Sequence, residues 1–356
     1  MTSPNPNDVR SEAIELWPEY RPTPVIELPD LAREANVARV LMKLESERPL
    51  GNFKALGGMI AGLRALARAS GSATIRELLE KGRAGIPLPA LVCASDGNHG
   101  LAVTAAAARA GTRAVVYLPA SADSARVARI EALGGEVVLV KGTYDDAVVE
   151  ASRAAARGDG LLIADTSPDP NDPVVRDVLE GYGLIASELL AQFGELGLAG
   201  PTHVFVQAGV GGLAAALAQG LRGAMQEPKK LIVVEPASAA CVGPALQARR
   251  PVQIPGDLHT CAEMLSCGMA SASALEVLLQ NDAASVVVEE EPLSQSVQVV
   301  ERAAGVRSTP SGAAGLAGFL RVASEPALRA QHSLGGASNV LLILSEAAVN
   351  EQTVSA

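Results

Sequence analysis

Lys54 stands in a sequence context that could support covalent chemistry. It lies in Gly51-Asn-Phe-Lys-Ala-Leu-Gly-Gly58, between an apolar run that ends near Leu44 and an amphipathic stretch of helical period. At such a junction the positive end of the helix dipole disfavours a cation and favours the neutral amine, the form that attacks carbonyl groups. From position alone, an exposed lysine with a solvated head group is the commoner outcome. Only six of the 29 basic residues are lysines, so Lys54 has few competitors for this role.

A second polar segment, Ser95-Asp-Gly-Asn-His-Gly100, follows the apolar run Leu91–Ala94. Glycine and asparagine at the carboxyl end of a parallel strand let the backbone approach a ligand, and such sheets bind ligands at that edge. Asp96 could act there as a general base, although an aspartate at this position also fits a turn or a helix cap. We expect His99 to be packed and hydrogen-bonded rather than to bind a ligand.

A third segment, Gln207-Ala-Gly-Val-Gly-Gly-Leu213, joins a strand-like run to a helix-like stretch. Backbone N–H groups of such a loop, at the start of a helix, form a site for an anion such as a phosphate. The spacing Gly209-x-Gly211-x-x-Ala214 also fits a dinucleotide fingerprint, and Glu235 would then be the acid that binds a ribose. Because both interpretations bind a phosphate, the motif by itself leaves a nicotinamide-dependent dehydrogenase open.

Two serines complete the set of polar residues at predicted element ends. Ser345 follows the apolar run Leu341–Leu344 and would place a hydroxyl at the carboxyl edge of the sheet. Ser311 opens a stretch of small residues with helical character. Ordinary turn chemistry explains either serine equally well.

The elements that must position these residues alternate between strand-like apolar runs and helix-like stripes, which is typical of a parallel sheet with crossover helices. The predicted strands are Val40–Leu44, Ala90–Ala94, Ala114–Leu118, Glu136–Val140, Leu161–Ala164, His203–Gln207, Leu231–Val234, Ser285–Val288 and Asn339–Leu344. The clearest predicted helices are Ala55–Ala69, Gly100–Ala110, Ala122–Leu133, Tyr144–Ala156, Val174–Phe193 and Leu213–Met225. Thr143 to Asp146 resembles a capping box. So many strands favour two α/β lobes over one open sheet.

Composition excludes several classes of protein. Aromatic residues make up 3% of the 356 residues and the net charge is −10, which argues against a base-stacking surface or a basic groove for nucleic acid. The four Cys and four His show no metal-ligand spacing, so no metal is expected. The N-terminus lacks a signal-peptide pattern, and no uncharged apolar run reaches the roughly 18 residues of a membrane span. We therefore expect a cytoplasmic protein without nucleic-acid or membrane partners.

Taken in order, the lysine junction, the Asn-bearing glycine loop, the phosphate loop and the terminal serine resemble the pyridoxal-phosphate enzymes of fold type II. That group includes tryptophan synthase β, threonine dehydratases and cysteine synthases. The resemblance covers roughly residues 20–346. Asn52-Phe-Lys-Ala-Leu-Gly-Gly58 together with Ser95-Asp-Gly-Asn-His-Gly100 is most similar to the diaminopropionate ammonia-lyases. Other relatives usually carry Ser or Ala at the position of Asp96.

The resemblance implies a two-lobed α/β fold of the tryptophan synthase β type, with parallel sheets, helices on both faces and pyridoxal 5′-phosphate as cofactor. Lys54 would bind the cofactor's aldehyde carbon and return as the base for an L substrate, while Asp96 would be the base for a D substrate. Asp165 matches an acid that contacts the substrate's amino side. Asn98 would hydrogen-bond the 3′-oxygen, and Ser345 would face the pyridine nitrogen. The phosphate would be cradled by Gly209, Val210, Gly211, Gly212 and Leu213.

The implied reaction is β-elimination on a small β-substituted amino acid, with 2,3-diaminopropionate first, by a homodimer. A serine or threonine dehydratase, an amino-acid racemase and a non-enzymatic sensor that keeps the cofactor site are alternatives of the same fold. Two segments depart from the lyases, which have aromatic residues where this chain has the Pro-rich Ser167–Pro173 and the segment Glu47–Leu50. Because both changes fall where a substrate pocket would be lined, the resemblance indicates the reaction class more strongly than the substrate.

The resemblance also predicts the division of the chain. Residues 1–85 and 181–356 would form the large cofactor-binding domain, and residues 86–180 would form a smaller, mobile α/β domain.

Overall fold

The computed structural model describes residues 6–17, 20–95 and 97–348. The helices are α1 (Pro6–Leu16), α2 (Pro29–Glu34), α3 (Lys54–Ser70), α4 (Ile75–Arg83), α5 (Asn98–Ala110), α6 (Ser124–Ala132), α7 (Tyr144–Ala156), α8 (Pro173–Glu195), α9 (Gly212–Leu221), α10 (Val242–Ala248), α11 (Ala272–Gln280), α12 (Glu290–Ala304), α13 (Pro310–Ser324) and α14 (Pro326–Gln331). The strands are β1 (Val25–Glu27), β2 (Arg39–Leu44), β3 (Leu91–Ala94), β4 (Ala114–Pro119), β5 (Glu136–Val140), β6 (Leu161–Leu162), β7 (His203–Gln207), β8 (Lys230–Pro236), β9 (Ala284–Val288) and β10 (Asn339–Leu344).

These elements form two compact units. Unit 1 contains the described parts of residues 1–21 together with 54–184, and unit 2 contains residues 22–53 and 185–348. Unit 1 carries a four-stranded sheet of order β5-β4-β3-β6, in which all pairs are parallel. Unit 2 carries a six-stranded sheet of order β1-β2-β10-β7-β8-β9, in which only β1 runs antiparallel. The predicted α/β class with two parallel sheets is confirmed.

Helix packing in unit 1 depends on glycine. A Cβ on Gly181 of α8 would lie 2.7 Å from the Cα of Gly57 in α3, and a Cβ on Gly58 would lie 2.6 Å from the Cβ of Ala102 in α5. No side chain fits at such separations, so α3 packs closely against both helices because these positions have no side chain. The helix that begins at Lys54 is thereby held in place along its first turn.

The core of unit 2 is aliphatic, as the low aromatic content requires. It consists mainly of Val, Leu, Ile and Ala from β2, β7, β8 and β10 and from α13. Phe205 and Phe319 are its aromatic pair, with ring centroids 5.5 Å apart in an edge-to-face arrangement. The strands are buried on both faces, which explains why they read as continuous apolar runs in the sequence.

A buried network of four charged side chains lies in unit 2 beside the chain that leads to Lys54. The Glu188 carboxylate of α8 accepts hydrogen bonds from Lys43 Nζ at 2.6 Å and from Arg48 Nη1 at 2.8 Å. Arg48 also donates to both oxygens of Glu45, and the side chains of all four are at most 3% exposed. Two cations and two carboxylates balance, as buried charges must. Arg48 is therefore part of the interior of unit 2 and not a pocket-lining residue as its sequence position suggested.

The predicted elements agree closely with the structure. All nine predicted strands are present, and the capping box at Thr143 and Asp146 forms as expected. The three-residue strand β1 was not anticipated because so short a run carries no periodicity. The Pro-rich stretch is a loop up to Asp172, and Pro173 is the first residue of α8, a position that tolerates proline.

The division into units differs from the predicted domains at the described parts of residues 1–21, at residues 54–85 and at residues 181–184, all of which were predicted in the large domain and lie in unit 1. Residues 54–85 belong to unit 1, with residues 97–180, because α3 packs along α5.

Along the described ranges, no helix is long and apolar enough to cross a membrane.

Candidate active site

Lys54 is the first residue of α3 and is paired with Asp165 in unit 1. Its Nζ lies 2.6 Å from Asp165 Oδ2, and its side chain is 22% exposed. The other carboxylate oxygen, Asp165 Oδ1, accepts a hydrogen bond of 2.6 Å from the hydroxyl of Tyr144. Asp165 follows β6 in the chain, whereas Tyr144 is the first residue of α7. Three separate elements thus bring an amine, a carboxylate and a phenol together.

The surroundings keep Asp165 ionised. Burial by itself would raise the pKa of this carboxyl, but the ammonium of Lys54 and the hydrogen bonds from Lys54 and Tyr144 hold it well below its usual range. Asp165 is 8% exposed, so little solvent competes with these contacts. A carboxylate that stays charged at neutral pH is suited to bind a cationic group.

The glycine loop before α5 is built around Ser95. Its hydroxyl oxygen accepts hydrogen bonds of 2.8 Å from the backbone N–H groups of Gly97 and Gly100. Asn98 is therefore the first residue of α5, two residues earlier than predicted. Asp96, the predicted second base, lies outside the described residues.

His99 is a buried structural residue, as expected. Its Nε2 lies 2.8 Å from the carbonyl oxygen of Ile163, which can only accept, so Nε2 carries a proton. Burial lowers the pKa of His99, so the ring is neutral. Its Nδ1 finds no hydrogen-bond partner among the described residues.

Unit 2 contains the loop Gly209–Leu213 between β7 and α9. Gly211 is the N-cap of α9 and adopts a left-handed conformation with φ of 95°, so no capping side chain covers the first-turn N–H groups. A Cβ on Gly209 would lie 2.9 Å from Cys267 Sγ, so only glycine fits there. A residue outside the loop stabilises it, because the backbone N–H of Ser271 donates to the Val210 carbonyl at 3.0 Å. A rigid, uncapped helix start of this kind fits a phosphate group.

Ser345 follows β10 at the same edge of the sheet as Gln207, the last residue of β7. These strands pair in parallel, and Gln207 Nε2 donates to Ser345 Oγ at 2.7 Å. Both side chains are buried, with 3% exposure for Gln207 and 4% for Ser345. The backbone of Ser345 is also bound, because the backbone N–H of Phe53 donates to the Ser345 carbonyl at 3.0 Å. Lys54 follows Phe53 in the chain.

The dinucleotide interpretation of the glycine loop is contradicted by Glu235. Its carboxylate is fully buried and accepts hydrogen bonds from the backbone N–H groups of Val242 and Gly243 at 2.6 and 2.8 Å. Ser285 Oγ donates to it as well, at 2.7 Å. Burial raises the pKa of Glu235 more than these hydrogen bonds lower it. Glu235 therefore caps α10 from within the protein and cannot bind a ribose.

Each unit by itself carries groups that suit one part of a phosphorylated pyridine aldehyde. Lys54 supplies a primary amine, the start of α9 supplies N–H donors for a phosphate, and Ser345 supplies a neutral hydroxyl for a ring nitrogen. Throughout residues 6–17, 20–95 and 97–348, no cluster of His, Cys, Asp and Glu could hold a metal ion.

Two residues of this arrangement escaped the sequence analysis. Tyr144 stood at the start of a correctly predicted helix, directly after the capping Thr143, and Gln207 stood at the end of a correctly predicted strand. The available sequence signal was the position of each residue at the end of a predicted element, since ligands bind at the edge of a parallel sheet. No sequence pattern could show that both side chains turn toward residues far away in the chain.

Comparison with known proteins agrees with these features. A family model described as pyridoxal-phosphate dependent enzyme matches residues 16–346. Diaminopropionate ammonia-lyase of Escherichia coli K12 is 33% identical over 267 residues, which cover 73% of this chain and 66% of that protein. L-threonine dehydratase of Pasteurella multocida is 29% identical over 339 residues, which cover 94% of this chain and 58% of that protein. This chain therefore spans about two thirds or less of the length of these two curated relatives.

Solved structures include a similar one. The crystal structure of holo diaminopropionate ammonia lyase from Escherichia coli matches with a TM-score of 0.85 and 28% identity, covering 99% of this chain and 92% of that chain.

Proposed function

We propose that this chain, which belongs to the pyridoxal-phosphate dependent enzyme family, eliminates ammonia from a small β-substituted amino acid, with 2,3-diaminopropionate as its substrate. The ion pair of Lys54 and Asp165 at 2.6 Å carries the proposal, because it places an amine beside a carboxylate held ionised. The similarity to diaminopropionate ammonia-lyase supports the choice of substrate.

The residues that would hold the cofactor follow from the family to which the chain belongs. Lys54 would bind it covalently, Asn98 would donate to its 3′-oxygen, and Gly209–Leu213 would bind its phosphate. Ser345 would face its ring nitrogen. When bound, pyridoxal phosphate supplies an electron sink for the negative charge that develops as the Cα proton leaves.

Lys54 has two tasks in this reaction. Its amine would hold the cofactor in the resting enzyme, and its Nζ, once free, would remove the Cα proton of an L substrate. Asp96 remains the predicted base for a D substrate on the opposite face.

Asp165 acts on the leaving group. Its carboxylate binds the substrate's β-ammonium once Lys54 has moved away, and the opposite charge favours the protonated amine. A protonated amine leaves as neutral ammonia when the Cβ–N bond breaks and its electron pair stays on nitrogen. Tyr144 keeps the second carboxylate oxygen occupied and so fixes the orientation of Asp165. Hydrolysis of the released enamine gives pyruvate and a second ammonia.

The deciding experiment supplies the purified holoenzyme with the D and L enantiomers of diaminopropionate, serine and threonine and measures the products. Two ammonia per pyruvate from diaminopropionate is the expected result. Turnover of serine or threonine alone would establish a dehydratase, and interconversion of enantiomers without keto acid would establish a racemase. A protein that binds the cofactor but turns over none of these compounds would be a sensor.

Two variants test the assigned roles. Lys54→Ala should lose both the visible absorbance of the cofactor imine and its fixation by borohydride. Asp165→Asn keeps the shape of the side chain but removes its charge, so it should lose diaminopropionate turnover far more than serine turnover. Equal losses on both substrates would refute the pairing of Asp165 with a cationic leaving group.

The assembly and the compartment are also part of the proposal. We expect a homodimer in the cytoplasm, and light scattering on the eluted holoenzyme should give twice the chain mass of 36.4 kDa. A monomer at micromolar concentration would contradict the dimer.

A further inference from the structure

We propose that Gln207 is a positioning residue that makes Ser345 a hydrogen-bond donor to the ring nitrogen of the cofactor, so that this nitrogen stays unprotonated. The inference rests on the proposed function, because it takes pyridoxal phosphate as the bound group. It concerns a side chain that so far has no role beyond ending β7.

The orientation of the Gln207 amide follows from its neighbours. Nε2 faces three oxygens, the Gly312 carbonyl at 2.8 Å, the Ile343 carbonyl at 3.2 Å and Ser345 Oγ at 2.7 Å. Carbonyl oxygens only accept, so the reversed amide would set its oxygen against two acceptors. Nε2 is therefore the atom that faces them. Its two hydrogens serve the two shortest contacts, to Ser345 Oγ and to the Gly312 carbonyl, and since an amide nitrogen cannot accept, Gln207 is the donor to Ser345.

This orientation leaves Gln207 Oε1 without a hydrogen-bond partner among the described residues. The atom lies against α13, where a Cβ on Gly315 would come within 2.8 Å of it. An unpaired buried carbonyl costs free energy. Among the described residues, the amide therefore makes hydrogen bonds only through its donor side.

The hydroxyl hydrogen of Ser345 must then point away from Gln207. A hydroxyl has one hydrogen, and here one of its lone pairs accepts from Nε2. The nearby Gly312 carbonyl already accepts twice, from Gln207 Nε2 and from the backbone N–H of Ser345 at 3.2 Å. Ser345 is thus set to donate to a further acceptor, and the lone pair of an unprotonated pyridine nitrogen is such an acceptor.

The consequence is electronic. A pyridine nitrogen that accepts a hydrogen bond is a weaker electron sink than a protonated one. Gln207 would therefore favour loss of a β-substituent over the longer-lived carbanion that transamination needs.

The experiment uses holoenzyme loaded with pyridoxal phosphate that carries ¹⁵N at the ring nitrogen. In the parent protein the ¹⁵N resonance should lie at the position of an unprotonated, hydrogen-bonded pyridine and stay there between about pH 6 and 9. In Gln207→Met, the Gly312 carbonyl loses a donor and the Ser345 hydroxyl can turn toward it. The resonance should then move toward that of a pyridine without a hydrogen bond. Loss of this one hydrogen bond should weaken cofactor binding about fivefold.

Gln192→Met is the matched control. Gln192 is a half-buried amide of unit 2, with Nε2 donating to the Thr23 carbonyl at 2.8 Å and Oε1 accepting from Lys43 at 2.9 Å. Its replacement should lower stability but leave the ¹⁵N resonance unchanged, which separates a positioning effect from loss of a buried hydrogen bond.

The possible outcomes are distinct. A protonated ring nitrogen in the parent would overturn the role of Gln207 whether or not the variant folds, while leaving the elimination activity intact. An unchanged resonance in Gln207→Met would overturn it as well. Failure of the parent to bind pyridoxal phosphate at all would refute the proposed function itself.

Discussion

Replacement of Tyr144 by phenylalanine tests whether the hydroxyl that holds Asp165 matters. The variant removes one hydrogen bond of 2.6 Å to a charged carboxylate and leaves the ring in its buried place. Hydrogen bonds to charged groups contribute about 1.5–3 kcal/mol, so the free energy of unfolding at pH 7 should fall by roughly that amount.

The effect should depend on pH in a defined direction. The pKa of Asp165 is depressed in the folded protein, so its contribution to stability is present above the unfolded pKa, near 3.8, and is lost as the pH falls through the folded value. Tyr144 is one cause of that depression, and its loss raises the pKa. The stability difference between parent and Tyr144→Phe should therefore be largest at neutral pH and shrink in acid, where only a neutral hydrogen bond of about 1 kcal/mol remains.

Thermal unfolding of the two proteins at pH 7 and in acid measures this difference. Tyr117→Phe is the control, because Tyr117 is a half-buried tyrosine of β4 in the same unit, and a change there should stay within about 0.5 kcal/mol. For activity, kcat/KM for diaminopropionate should fall about tenfold or more. Equal stability of the two variants, or a difference that does not change with pH, would refute the reasoning.

Four further changes have definite expected results. Asp96→Asn should abolish turnover of D-diaminopropionate and spare much of the L isomer's, and equal losses in a steady-state assay of both isomers would refute the two-face assignment. Gly183→Ala should raise the melting temperature by an amount equivalent to about 0.5–1 kcal/mol, because this helical position has open space around it. Gly181→Ala, two residues away, should instead cost about 1–3 kcal/mol because its Cβ would meet the backbone of Gly57 at 2.7 Å. Glu188→Gln should cost about 3–5 kcal/mol in urea unfolding since it leaves two buried cations facing one carboxylate, and a neutral result would contradict the electrostatic account.

The amino-acid sequence by itself determined the fold class and most element positions. Strands buried on both faces read as apolar runs, and α7 was predicted from its capping box with the bounds that the structure has, Tyr144–Ala156. It also placed Lys54 at the start of a helix and Gly211 before another, because glycine, proline and capping residues act locally. These features depend on neighbours in the chain.

Only the tertiary structure decided which side chains meet. Asp165 and Lys54 are 111 residues apart, and Gln207 and Ser345 are 138 apart, so no local pattern could pair them. The same reason separates the two interpretations of the glycine loop, since only the structure shows that Glu235 caps α10 and is not available to bind a ribose. Hydrogen bonds and charges are satisfied by whatever the fold brings near, and the fold is set by apolar burial over the whole chain.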